Sequence, residues 1–128
     1  MSPSDKDLKI SQIWSLAADC AKPGWDGNDA ESINRCACAI AADFIRALPD
    51  SVPLPEPAPE PDGSISLDWI QSRSRLFSMS VGAGERLAFA WLDGTGKGHG
   101  TALFDGNGVP PVVFEALRRI VNAERPSP

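Results

Sequence analysis

Ser64-Ile65-Ser66-Leu67-Asp68-Trp69, Leu76-Phe77-Ser78-Met79-Ser80-Val81 and Leu87-Ala88-Phe89-Ala90-Trp91-Leu92 decide how this chain folds. Within each run the large apolar side chains recur at every second position: Ile65, Leu67 and Trp69, then Phe77, Met79 and Val81, then Leu87, Phe89 and Trp91. A period of two belongs to a strand with one buried face. The gaps, Gln71 to Ser74 and Gly82 to Glu85, are short, so the runs read as an antiparallel meander. A weaker fourth strand is expected over Gly100 to Phe104, after a glycine-rich hairpin loop from Asp93 to His99.

Outward from the strands the period becomes 3.6. Residues 5–21 carry Ile10, Ile13, Trp14 and Ala17 on one stripe, with Ser4 as N-cap. Residues 29–48 carry Ile33, Ala37, Ile40, Ala41, Phe44 and Leu48, and Asn28 with Glu31 has the spacing of a capping box. A last helix is expected over Pro110 to Ala123, with proline in its first turn. Between the helical pair and the strands, residues 49–62 hold Pro49, Pro53, Pro55, Pro57, Pro59 and Pro61. So many prolines predict a stiff polyproline II strap outside the sheet ladder. The expected class is α+β in the order ααββββα: a four-stranded antiparallel meander with helices on one face, in a single domain over 1–128.

The chain has 128 residues and a formal net charge of −5. That balance argues against a surface that grips phosphate backbones, so no nucleic-acid partner is expected. No apolar run reaches the length of a membrane span, and polar Met1 to Asp7 leads into no signal-peptide core. An odd number of cysteines, Cys20, Cys36 and Cys38, does not form a secreted disulfide framework. These features predict a cytoplasmic protein.

Few residues have the spacing of catalytic or metal chemistry. Gly94-Thr95-Gly96-Lys97-Gly98-His99-Gly100 lacks the helix that a phosphate loop leads into. Lys97 and His99, with Asp93 or Asp105, offer the parts of a general acid–base phosphodiesterase or nuclease-like toxin, and this is the alternative to a binding role. Cys36 and Cys38 point apart on a helix and cannot grip one ion. The basic pairs Arg73 with Arg75 and Arg118 with Arg119 read as solvated charge. No cofactor, metal or catalytic constellation is expected.

Alternation also makes the second sheet face unusual, because it presents Ser64, Ser66, Asp68, Ser78, Ser80, Ala88 and Ala90. Small polar residues on an open face suit either water or a closely packed partner. Trp25, in the turn Gly24-Trp25-Asp26-Gly27, reads either as a cap on the core or as an exposed anchor. The candidate binding residues are therefore Trp25, Asp26, Ser66, Asp68, Ser78 and Ser80.

The Gly24-Trp25-Asp26-Gly27 turn, a helix ending in Leu48-Pro49, the strand Pro61-Asp62-Gly63-Ser64-Ile65-Ser66-Leu67-Asp68-Trp69 and the Arg118-Arg119 pair together resemble a family of small uncharacterised bacterial proteins. The resemblance spans about residues 22–121. Where family members carry an aromatic soon after the turn, this chain has Asn28 and Asp29. The resemblance implies accessory or mobile gene content rather than an activity. The resulting expectation is a non-catalytic accessory protein that binds another protein, as an inhibitor or antitoxin-like partner. Self-association as a homodimer, through edge strands or open sheet faces, is a further alternative.

Overall fold

The computed structural model describes residues 4–121, so Met1 to Pro3 and the expected helix end at Ala123 lie outside the described residues. The elements run α1 (Asp5–Asp19), α2 (Arg35–Ala47), β1 (Glu56–Pro59), β2 (Ile65–Ser72), β3 (Arg75–Val81), β4 (Arg86–Asp93), β5 (Gly96–Leu103) and α3 (Pro111–Val121). The five strands form one antiparallel sheet in the order β1-β2-β3-β4-β5. The α+β class and antiparallel meander are as expected, but the sheet has five strands rather than four.

The extra strand lies in the proline strap. An antiparallel strand gives only alternate residues to its neighbour. Glu60 N–H donates to Ser64 O at 2.9 Å, so the even-numbered residues of β1 face β2. Pro57 and Pro59 therefore sit where an N–H would point off the sheet edge, and its absence costs no ladder bond. The strap is held inward by Trp69 as well. This indole is 3% exposed, and its Nε1–H donates to Pro53 O at 2.7 Å.

The glycine-rich segment is not a loop. Gly94 and Thr95 alone connect β4 to β5, with Gly94 at φ +66°, the conformation that tight hairpin turns require at their first central residue. Gly96, Gly98 and Gly100 continue as strand opposite Asp93, Trp91 and Phe89. The rings of Trp91 and Phe89 lie across these glycines: a Cβ on Gly98 would sit 2.6 Å from Trp91 Cζ2, and one on Gly100 2.9 Å from Phe89 Cζ. The glycines are thus a flat bed for two aromatic rings.

α1 begins at Ser4, whose side chain accepts Asp7 N–H in a capping box. α2 starts six residues later than the spacing predicts, capped by Asn34 rather than Asn28. The reason lies in the N–H groups of the preceding segment. Asn28 and Ala30 donate to Asp26 Oδ1, Glu31 to Pro61 O, Ile33 to Cys20 O and Asn34 to Gly63 O. Tertiary partners have claimed the donors that a helix would need. Gly63 permits this docking: it has φ +90°, and a Cβ there would meet Ser32 O at 3.1 Å.

All three helices cover the same sheet face. Ile13, Ala41, Phe44, Ile45, Leu117 and Ile120 meet Ile65, Leu67, Phe77, Met79, Val81 and Leu87 in one core. Phe44 sits edge-on to both Trp69 and Phe104, with centroids 6.5 and 5.5 Å away. Two basic side chains fasten helix C-termini, where carbonyls lack intrahelical donors. Lys6 Nζ donates to Arg46 O and Leu48 O at the end of α2. Arg75 Nε and Nη2 donate to Ile120 O and Arg119 O at 2.8 and 2.7 Å, so this arginine caps α3 instead of lying solvated. The Arg119 guanidinium in turn lies 5.7 Å from the Trp91 ring centroid.

Arg75→Met keeps the stem and removes both charged hydrogen bonds. It is expected to lower unfolding free energy by about 1.5–3 kcal/mol, measured by urea denaturation. A change below about 0.5 kcal/mol would show that water replaces the cap.

Candidate functional site

The helix-free face of the sheet is open, and strand register arranges it in rows. Ile70, Leu76, Leu92 and Lys97 lie side by side across β2 to β5. The next row is Glu56, Asp68, Ser78, Ala90 and His99. The third is Ala58, Ser66, Ser80, Ala88 and Thr101. Arg86 and Leu103 pair beyond it. Ile70 and Leu103 are large apolar residues left 67% and 70% exposed. The face thus combines an apolar row, two rows with small centres, and charged margins.

A polar cluster occupies its β2–β3 centre. Ser66 Oγ donates to Asp68 Oδ1 at 2.6 Å, and Ser78 Oγ donates to the same oxygen at 2.5 Å. The two hydroxyls are 3.4 Å apart. Ser80 Oγ donates to Glu60 Oε1 at 2.6 Å, across β2. Three hydroxyl protons are therefore spent on carboxylates. What remains outward are hydroxyl lone pairs and carboxylate oxygens, an acceptor surface suited to a partner's N–H and cationic groups. Ser66 is itself 8% exposed, so β1 already shelters part of the cluster.

Of the six expected binding residues, the structure gathers Ser66, Asp68, Ser78 and Ser80. Trp25 and Asp26 belong to a separate internal clip. Trp25 is half-buried, and its Nε1–H donates to Glu31 O at 2.7 Å. The Asp26 carboxylate is taken by two backbone donors, and Gly24 N–H donates to Ala30 O. The clip holds the chain between α1 and α2 against the Pro61–Gly63 turn. That turn is tightened by the Asp62 carboxylate, which accepts Ser64 N–H at 2.9 Å; this bond holds its pKa below the ordinary range.

Lys97 and His99 both stand on the open face of β5. Three strand spacings, about 14 Å, separate His99 from Asp68. Asp93 belongs to the opposite phase of the hairpin, and Asp105 lies beyond the far end of β5. Among the described residues neither Lys97 nor His99 forms a salt bridge with a carboxylate. Among the described residues no group of three or more His, Cys, Asp or Glu can hold a metal ion. No helix of the described residues is long and apolar enough to cross a membrane.

The cysteines divide by burial: Cys36 is exposed, while Cys20 and Cys38 are buried. Burial raises both thiol pKa values, and at Cys20 the neighbouring Asp19 charge adds to the rise. That Ser66, Asp68, Ser78 and Ser80 share one face was available from strand periodicity; their hydrogen bonds were not. The row made by Lys97, His99 and Thr101 was not, because it depends on the glycine segment being a strand.

Maleimide at neutral pH is expected to label Cys36 alone in the native protein and all three thiols after unfolding, read by mass spectrometry. Gly98→Ala is expected to cost about 1–2 kcal/mol and to alter tryptophan emission, since the new methyl displaces the Trp91 ring. A wild-type denaturation curve for that variant would mean the ring does not rest on β5. Comparison with protein families, with curated proteins and with solved structures returns no match, so the chemistry of this surface is read from its own geometry.

Proposed function

We propose that this chain is a non-catalytic accessory protein of the cytoplasm that works by binding another protein through the bare face of its sheet. One observation carries the reading: all three helices pack on one face, and the other presents an apolar row beside a bonded cluster of acceptors. A sheet face meant only for water has no need of Ile70 with Leu76 and Leu92 in register across three strands. Ser78, Ala88 and Ala90 keep the middle low, so a partner can approach the backbone closely. The serine–carboxylate cluster then supplies direction and specificity, while the apolar row supplies area.

The three strand spacings between Asp68 and His99 favour binding over the hydrolytic alternative. The resemblance to small bacterial accessory proteins is in keeping with an inhibitor or antitoxin-like role. Under this reading Trp25 and Asp26 contribute by holding the scaffold.

Ala90 is exposed at the centre of the face and makes no side-chain hydrogen bond, so it suits a test. Ala90→Arg is expected to leave the unfolding free energy within about 0.5 kcal/mol of wild type while abolishing co-purification of the partner from native host extract. A captured partner retained equally by Ala90→Arg would place binding elsewhere and overturn the proposal.

A further inference from the structure

The open face carries its charges in two separate halves. The β1–β2 side holds Glu60 and Asp68, while the Glu56 carboxylate at its edge is already paired with Lys9 Nζ of α1 at 2.9 Å. The β4–β5 side holds Arg86 and Lys97. β3, between them, places Leu76, Ser78 and Ser80 on this face. Arg86 and Lys97 are exposed, and among the described residues neither forms a salt bridge.

We propose that the bare sheet face is the seat of a second copy of this chain, related by a two-fold axis that runs along β3 between the two sheets. This rests on the reading of that face as a binding surface and names its occupant. A two-fold along the strands reverses strand order and keeps each row at its own level. β1 then lies over the partner's β5, β2 over β4, and β3 over β3. The acidic half of each copy meets the basic half of the other.

The rows agree with this axis and not with the alternative. The apolar row closes on itself: Leu76 faces its own counterpart, and Ile70 faces Leu92 of the second copy. In the next row Ser78 faces Ser78 and Asp68 faces Ala90 of the second copy. In the third, Ser80 faces Ser80 and Ser66 faces Ala88. A two-fold perpendicular to the strands would instead lay the apolar row over the Arg86 margin and acidic strands over acidic strands. Isologous contact requires such self-complementarity, and the register supplies it for one axis only. Twisted sheets stacked this way settle at about −30°, which keeps the central rows in contact and lets the corners diverge.

The area suffices. Five strands about 4.8 Å apart and up to eight residues long span roughly 24 by 27 Å. That covers on the order of 600 Å² per copy, or about 1,200 Å² for the pair, the lower end of specific interfaces. Edge pairing through β5 offers far less area. β1 cannot pair outward at Pro57 or Pro59, so the stacked face is the larger shared surface.

The test uses the full chain. Light scattering after size exclusion is expected to give a concentration-dependent mass rising toward twice 13.6 kDa, weakened by salt. Arg86→Glu with Lys97→Glu makes both halves acidic; Glu60→Lys puts a positive charge into the opposite half. Each of these variants is expected to lose at least about tenfold in self-association, and their equimolar mixture to recover a dimer. In a Cys36→Ser background, Ser78→Cys is expected to cross-link to itself with a short thiol-reactive bridge, because the two copies of residue 78 meet at the axis. Edge-paired sheets would hold those positions about 24 Å apart.

A dimer that ignores both charge variants and fails to cross-link at Ser78→Cys would be edge-paired, and would overturn the stacked arrangement. A monomer at all concentrations, with partner capture still lost in Ala90→Arg, would overturn the second copy while leaving the face as a site for a different protein. A monomer whose captured proteins are indifferent to Ala90→Arg would end both readings. Folding of every variant is checked by its thermal midpoint.

Discussion

Side chains on a strand alternate between two faces, and in this chain the alternation separates large from small. Ile65, Leu67, Trp69, Phe77, Met79, Val81, Leu87 and Phe89 all fall on one side and are buried there. The helices must collect on that side, because only there can Ile13, Phe44, Ile45, Leu117 and Ile120 leave water. The bare second face is therefore not an omission. It follows from the same periodicity that builds the core, and it receives the residues that the core cannot use.

One-sided packing leaves the helix ends and connecting segments to be fixed by polar bonds from a distance. Lys6 and Arg75 satisfy carbonyls at the ends of α2 and α3. The Trp69 and Trp25 indoles donate to carbonyls of the strap and of the chain before α2. The Pro61–Gly63 turn receives Glu31 and Asn34 from the same segment. The arginine and lysine bonds satisfy helix-end carbonyls, and the indole and turn bonds anchor stretches with no regular structure of their own. Among the described residues no buried side-chain nitrogen or oxygen is left without a partner. Irregular segments of this length hold their place through such pairing.

The parts of the fold that were legible in the sequence were those decided by local period: the strands β2, β3 and β4, the helix from Ser4, and the inward residues of all of them. The parts that were not were decided by partners distant in the chain. β1 was hidden because proline is read as a lost donor, while its effect depends on which way the missing N–H would point. β5 was legible only from Gly100 onward, and its first half was hidden because glycines look like freedom, while here Trp91 and Phe89 from the neighbouring strand lie across them. Asn28 and Glu31 imitate a helix start, but their backbone donors go elsewhere. For the candidate site, alternation alone placed Ser66, Asp68, Ser78 and Ser80 on one face. The local bonding of half-buried Trp25 and exposed Asp26 was beyond it, since a turn sequence does not say where its indole will find an acceptor.

The two rims of the sheet have different chemistry, and this bears on how the chain behaves when crowded. β5 ends the sheet with ordinary backbone, whose alternate N–H and C=O groups are available to another strand. β1 ends it with Pro57 and Pro59, which have no N–H to offer. A growing cross-β ribbon needs two extendable rims on every link. A molecule with one rim sealed can close a ribbon but cannot propagate it. The prolines of the strap thus make the native fold a chain terminator for its own polymerisation.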